Sequence, residues 1–129
     1  MLRIVVLGHN RLAGELCSTA SLICGCSEGI NSFNLLHDEG QEALLGKISE
    51  FAQPHDAGDE YLFLVDIFGG SCFQVAKRFL HQRRGCILTG VNLNTMLEAQ
   101  LGATCGLSCR ELVDKLQAAS VKGIMVVES

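Results

Sequence analysis

The residue whose type and position best predict chemistry is His9, which directly follows the apolar run of residues 4–8. Such a run predicts a buried β-strand, and open α/β sheets bind and transform ligands just outside the carboxyl ends of their strands. An imidazole has an unperturbed pKa of about 6.5 and acts near neutral pH as a base, a ligand or a nucleophile. The competing interpretation is a polar turn residue after a core strand.

A second group of residues joins the strongest strand pattern, residues 61–65, to a helix pattern at residues 71–82. It consists of Asp66 followed by Gly69, Gly70 and Ser71. Glycines permit a tight turn, and a helix start offers free N–H groups and a partial positive charge to an anion. The competing interpretation is an ordinary turn in which Ser71 caps the helix. The loop lacks the glycine-rich motifs that bind ATP or NAD, so no cofactor is predicted.

The rest of the chain alternates between strand and helix patterns. Strands are predicted at residues 2–7, 29–35, 61–65, 86–91 and 124–127. Helices are predicted after Leu12, around Leu44, over residues 71–82 and 96–101, and from Ser108. That last start carries a capping box with Glu111 and a hydrophobic staple from Leu107 to Leu112. The β-α-β-α order predicts one α/β domain over residues 1–129, with a mostly parallel sheet covered on both faces.

Sheet topology connects the two groups of residues. In a flavodoxin-like strand order the switch point lies between the first and third strands, which places His9 beside Asp66. By accepting the proton on Nδ1, Asp66 would fix the tautomer and leave Nε2 free to face the turn of Gly69, Gly70 and Ser71. A nucleophilic nitrogen facing an anion site predicts phosphoryl transfer through a phosphohistidine.

Composition excludes several classes of protein. The net charge is −4 with 10 scattered basic residues, which argues against nucleic-acid binding. No apolar stretch is long enough to span a bilayer and no signal peptide is recognisable, which predicts a soluble cytoplasmic protein. Arg11 and Lys77 are candidates for holding an acidic partner, although solvated surface charges are the commoner case. Three other histidines are expected to be solvated: His37, His55 and His81.

The seven cysteines are odd in number and fall mostly in apolar-periodic segments, which favours free thiols in a reducing compartment. Zinc binding is the competing interpretation, by Cys24 with Cys26 or by Cys105 with Cys109. Neither pair has the C-x-x-C spacing of a zinc knuckle. No metal is therefore predicted.

Taken together, the motifs resemble the enzyme IIA domain of the mannose/fructose/sorbose class of the bacterial sugar phosphotransferase system. The resemblance covers essentially the whole chain, and its most specific part is a histidine ending the first strand combined with the Asp-x-x-Gly-Gly-Ser block. A third matching segment is the Gly-Val-Asn of residues 90–92 with the Met-Leu-Glu of residues 96–98.

The resemblance implies a three-layer, flavodoxin-like fold with four parallel strands in the order 2-1-3-4. A final antiparallel strand, residues 124–127, would be exchanged in a homodimer. It also implies that His9 is phosphorylated on Nε2 by the phosphocarrier HPr and passes the group to a IIB component, expected on a separate chain. Asp66 would orient the ring, and Gly69, Gly70 and Ser71 would hold the phosphoryl oxygens. The protein would work without cofactor or metal.

The chain departs from the family pattern at two places where members often have proline: here Cys72 and the pair Asn94 and Thr95 stand instead. Two other functions stay open at this point. One is a regulatory module of the same fold that is phosphorylated only as a signal. The other is a nucleotide- or flavin-binding protein using the same switch point, for which Phe68 and Phe73 are the aromatic candidates.

Overall fold

Apolar side chains on both faces of the first and third strands require helices on both sides of the sheet. The computed structural model describes residues 1–25, 28–53 and 58–129. Its strands are β1 (Leu2–His9), β2 (Ile30–Leu35), β3 (Glu60–Val65) and β4 (Arg84–Thr89). Its helices are α1 (Leu12–Cys24), α2 (Gln41–Ala52), α3 (Ser71–Leu80), α4 (Leu93–Gly102) and α5 (Cys109–Lys122).

The sheet is fully parallel and has the order β2-β1-β3-β4, which confirms the predicted topology. Leu7 pairs with Val65 across β1 and β3, so both strands end at the same edge of the sheet. The chain moves from β1 outward to β2 and then back past β1 to β3. The switch point therefore lies between β1 and β3, where such folds place their ligands.

Alternate residues of the central strands divide the core into two layers. One layer packs Val5, Phe63 and their neighbours against α2 and α3. The other packs Ile4, Leu62 and their neighbours against α1, α4 and α5. Because both faces are buried, the pattern of these strands is continuously apolar rather than alternating. None of the helices in the described part of the chain is long and apolar enough to cross a membrane.

Most element boundaries shift by only a few residues from the predictions. β1 continues to His9, α3 ends at Leu80 rather than at residue 82, and β4 ends at Thr89 rather than at residue 91. The predicted cap at Ser108 is confirmed: its side chain accepts from the Glu111 N–H while Glu111 accepts from the Ser108 N–H.

α4 is longer than the short helix predicted at residues 96–101. It begins at Leu93 because Asn92 caps it, accepting a hydrogen bond from the Thr95 N–H while Thr95 accepts from the Asn92 N–H. This is a capping box in which threonine replaces the usual Glu or Gln, and the sequence prediction did not recognise it.

Residues 124–127 do not form the predicted fifth strand within this chain. Ile124, Met125, Val126 and Val127 are exposed to 76%, 77%, 89% and 90%, and none of them pairs with a strand of the described sheet. The pattern is apolar enough for a strand, but a strand also needs a partner edge. Their exchange between two chains requires a second copy and stays a prediction.

Candidate functional site at the carboxyl end of the sheet

His9 and Asp66 meet at the switch point. The His9 Nδ1 atom lies 2.8 Å from Oδ2 of Asp66, and the His9 backbone N–H donates to the same oxygen, also at 2.8 Å. The other carboxylate oxygen, Oδ1, accepts from the Ile67 N–H at 2.8 Å. The carboxylate is thus held by backbone donors from both strand ends, and it holds the ring in turn.

The two side chains differ in exposure in a way that matters for chemistry. Asp66 is 9% exposed, whereas the His9 ring is 46% exposed. With Nδ1–H donating to Asp66, Nε2 carries the free lone pair, and it has no hydrogen-bond partner among the described residues. The nitrogen with the free lone pair is thus on the exposed side chain, while the carboxylate that holds the ring is shielded.

The loop after Asp66 brings the start of α3 against the ring. Gly69 adopts φ +82°, a conformation that glycine takes without steric cost. Gly70 is the N-cap residue, and a Cβ built there would lie 3.1 Å from Cε1 and 3.7 Å from Nε2 of His9. The absence of a side chain at position 70 therefore lets the helix start lie directly beside the edge of the ring formed by Cε1 and Nε2.

Ser71 is the first residue of α3 and does not cap it. Gly70 provides no side-chain cap, and the first hydrogen bond within the helix runs from the Gln74 N–H to the Gly70 carbonyl. The N–H groups of the first turn consequently have no partner inside the helix, and the helix dipole places partial positive charge there. An anionic group bonded to Nε2 would lie near these donors.

An apolar rim flanks this edge. Ile67 and Phe68 are 58% and 72% exposed, and the rings of Phe68 and Phe73 lie 4.8 Å apart. The ammonium group of Lys77 lies 5.7 Å from the centre of the Phe73 ring. Exposed aromatic surface beside an accessible imidazole is suited to protein docking.

The remaining sequence candidates are scattered. His37 shares a shallow cleft of about 300 Å³ with His9, Asn10 and Glu39, so it lies nearer the site than the sequence suggested. His81 ends α3 at the opposite edge. Arg11 is exposed and precedes α1 beside the site. His55 lies outside the described residues, and so does Cys26, which the competing zinc interpretation paired with Cys24.

Cys72 is the neighbour of the site that sequence reasoning missed. Its Sγ lies 3.9 Å from Nδ1 of His9, and its side chain is fully buried. Burial, together with the nearby negative charge of Asp66, raises the pKa of the Cys72 thiol to about 12, so the group stays neutral. The signal was its position in the first turn after the loop, but the sequence pattern marked Cys72 only as a departure from the proline that family members often have there.

Comparisons with known proteins agree with this fold and identify relatives of the chain. A family model described as the EIIA-man family, the fructose IIA component of the phosphotransferase system (PTS), matches residues 3–117. The chain is 28% identical to the fructose-specific EIIA component of the PTS of Bacillus subtilis (strain 168), over 98% of this chain and 86% of that protein. It is 30% identical to the mannose-specific EIIAB component of Escherichia coli (strain K12), over 85% of this chain but only 34% of that longer protein. The EIIA structure from Streptococcus agalactiae superposes with a TM-score of 0.86, at 25% identity and over 98% of this chain and 97% of that one.

Proposed function

The chain belongs to the mannose/fructose family of EIIA components of the sugar phosphotransferase system, and from that premise we propose that His9 is its phosphorylated residue. The family establishes a role in sugar phosphotransfer. The proposal adds which atom carries the phosphoryl group and which proteins donate and accept that group. Nε2 of His9 takes it from the phosphocarrier HPr and transfers it to a IIB component. The observation that supports it is the hydrogen bond between Nδ1 and Asp66, which leaves Nε2 as the free nitrogen beside the start of α3.

The geometry suits transfer between two nitrogen atoms. The Nε2 lone pair attacks phosphorus, forming a P–N bond, while the P–N bond of the donor breaks and its electron pair returns to the donor's nitrogen. Because Nδ1 keeps its proton, positive charge develops on the His9 ring as the bond forms, and the Asp66 carboxylate at 2.8 Å stabilises that charge. The glycine turn, Ser71 and the first-turn N–H groups of α3 face the phosphoryl oxygens.

The chain itself supplies positioning and fixed charges, which account for most of the catalysis that phosphoryl transfer requires. β1 and β3 end together, so ring and carboxylate are placed by the sheet rather than by flexible loops. The exposed rim of Ile67 and Phe68 offers an apolar surface on which the donor and acceptor proteins would dock in turn.

The decisive experiment is incubation with phosphoenolpyruvate, enzyme I and HPr, followed by measurement of acid-labile phosphate on the protein. Wild type should take up one phosphoryl group per chain, and adding a IIB component should then remove it. His9→Ala should take up none. His37→Ala is the matched control, because His37 lies in the same cleft. Labelling of His9→Ala at the wild-type level, or its loss in His37→Ala alone, would contradict the proposal.

We also propose that residues 124–127 add an antiparallel strand to a second copy of the chain. Four consecutive exposed apolar side chains support this, because such a run is stabilised once it pairs with a sheet edge and is covered. Light scattering should give a dimer for the full chain and a monomer for a chain ending at Gly123. A monomeric full chain, or a truncated chain that still dimerises, would refute strand exchange.

A further inference from the structure

The side chains of His9, Asp66 and Cys72 place three kinds of donor atom together. The His9 Nδ1, an Asp66 carboxylate oxygen and the Cys72 Sγ all lie within 4.8 Å of one another. Nδ1 is 2.8 Å from Oδ2 and 3.9 Å from Sγ. The phosphoryl-transfer chemistry at Nε2 makes no use of the thiol, so this grouping is not explained by that function.

We propose that this His-Asp-Cys cluster binds a zinc ion, which occupies Nδ1 and thereby blocks the histidine. Zinc accepts mixed nitrogen, oxygen and sulfur ligands in tetrahedral geometry, whereas magnesium and calcium prefer oxygen alone. Ligand bonds of about 2.0–2.3 Å at tetrahedral angles separate the donor atoms by about 3.3–3.6 Å. Oδ2 would therefore move away from Nδ1 by roughly half an ångström, and Sγ would approach Nδ1 by less. The carboxylate oxygen and Sγ, which lie within 4.8 Å of each other, would move to the same range.

The supporting framework is rigid, and it leaves an entry path. The ligands come from the end of β1, the residue after β3 and the first turn of α3, so the sheet and one helix hold them. Cys72 is fully buried and Asp66 nearly so, while the exposed His9 ring admits an ion and a fourth ligand from solvent. Oδ2 of Asp66 would bind the metal in place of its hydrogen bond from Nδ1–H, and it would still accept the hydrogen bond from the His9 backbone N–H.

Zinc at this position controls which nitrogen carries the ring proton. A neutral imidazole has one proton, and Nδ1 must be free of it to bind metal. The ring proton therefore moves to Nε2. The Nε2 lone pair then holds this proton and is no longer free to attack phosphorus. The Cys72 thiol loses its proton to solvent as the Zn–S bond forms, so each zinc releases one proton and no electron is transferred. Zinc binding and phosphorylation then exclude each other.

The site itself does not rest on the proposed function; only its inhibitory effect does. Zinc chloride titrated into metal-free protein of residues 1–129 should bind one equivalent. Calorimetry in buffers of different ionisation enthalpy should show that one proton is released for each zinc bound. Cobalt(II) should give thiolate-to-metal charge-transfer absorption, which needs no variant. Nitrogen-15 spectra of wild type should show Nδ1 metal-bound and Nε2 protonated. Magnesium chloride should give none of these signals.

Cys72→Ala should weaken zinc binding by at least about tenfold, since even the outer partners of zinc ligands contribute that much. Cys86→Ala is the control, because the Cys86 thiol lies close to that of Cys109 in the other core layer, away from the His-Asp-Cys cluster. Phosphorylation measured with a chelator that removes zinc tests the proposed function alone. Added zinc should slow phosphorylation at least tenfold in wild type but not in Cys72→Ala. Unchanged binding in Cys72→Ala, loss of binding in Cys86→Ala, or no cobalt–thiolate absorption would overturn the site. Zinc binding at the cluster with full phosphorylation would overturn the blocking step.

Discussion

Nδ1 of His9 lies 2.8 Å from Oδ2 of Asp66, although 57 positions separate the two residues in the chain. The contact follows from topology, since β1 and β3 are adjacent and in register up to Leu7 and Val65, and each functional residue stands just beyond that pair. The fold thus determines the tautomer of the histidine. Removing the carboxylate should consequently affect the chemistry more than the fold.

Asp66→Asn should take up phosphate from phospho-HPr at least about tenfold more slowly than wild type, because the ring loses its fixed tautomer and the charge that stabilises it. Initial rates of acid-labile phosphate formation measure this. Asp59→Asn is the matched control, since Asp59 is also 9% exposed and also accepts a hydrogen bond from the side chain of a β1 residue, Arg3, but at the opposite edge. Equal rates for Asp66→Asn and wild type would remove Asp66 from its role.

The parts of the fold that were predictable are those set by local pattern and chain order. The continuous apolar run ending at Val65 indicated a buried parallel strand, and the repeated β-α order then restricted the strand order. His9 and Asp66 could be paired from that order alone. Ser108 could be identified as a cap because a capping box is complete within four residues.

The features that were missed depend on contacts distant in sequence or on partners outside the chain. The approach of Cys72 to His9 depends on how the first turn of α3 lies against the end of β1, which periodicity does not specify. The start of α4 was missed because Thr95 fills a role that the usual motif gives to Glu or Gln. Residues 124–127 have the composition of a strand, but composition does not specify which edge they would pair with, and in the described chain they pair with neither β2 nor β4.

Ser108→Ala should lower the free energy of unfolding by about 1 kcal/mol, because the Glu111 N–H at the start of α5 loses its acceptor. Urea denaturation followed by circular dichroism measures the change. Ser18→Ala, at an exposed position inside α1, should leave stability unchanged or slightly higher because alanine is the better helix former. Equal effects of the two substitutions would show that the capping box contributes nothing, and phosphorylation should be normal in both.

The Cys72 thiol should be alkylated slowly, with a pH dependence unlike that of an ordinary thiol. Burial and the Asp66 charge raise its pKa to about 12, so the thiolate fraction in the folded protein grows about tenfold per pH unit throughout the range from 7 to 10. An ordinary thiol, with a pKa of about 8.5, levels off within that range. The raised pKa disfavours the Cys72 thiolate only in the folded state. The contribution of this thiol to the free energy of unfolding is therefore fully present below about pH 9, and it is lost as the pH rises towards 12.

Iodoacetamide labelling mapped by mass spectrometry tests this prediction in metal-free protein. The rate at Cys72 should still be rising at pH 10, whereas the same residue in denaturant should level off like free cysteine. A plateau near pH 8.5 in the folded protein would show that the thiol is not held neutral by its surroundings.

Gly70→Ala should lower the rate of phosphoryl uptake by about 10- to 100-fold, the range expected when a reacting group is displaced by a fraction of an ångström to an ångström. The added Cβ would lie 3.1 Å from Cε1 of His9 and 3.1 Å from Cγ2 of Ile67, so the ring or the loop must move.

Gly40→Ala is the matched control, because Gly40 is likewise an extended N-cap glycine and a Cβ there meets nothing within 4 Å. Both variants should lose a similar amount of helix-capping free energy in urea denaturation, but only Gly70→Ala should transfer slowly. If uptake slowed equally in both, the close approach of α3 to the ring would have no part in positioning Nε2.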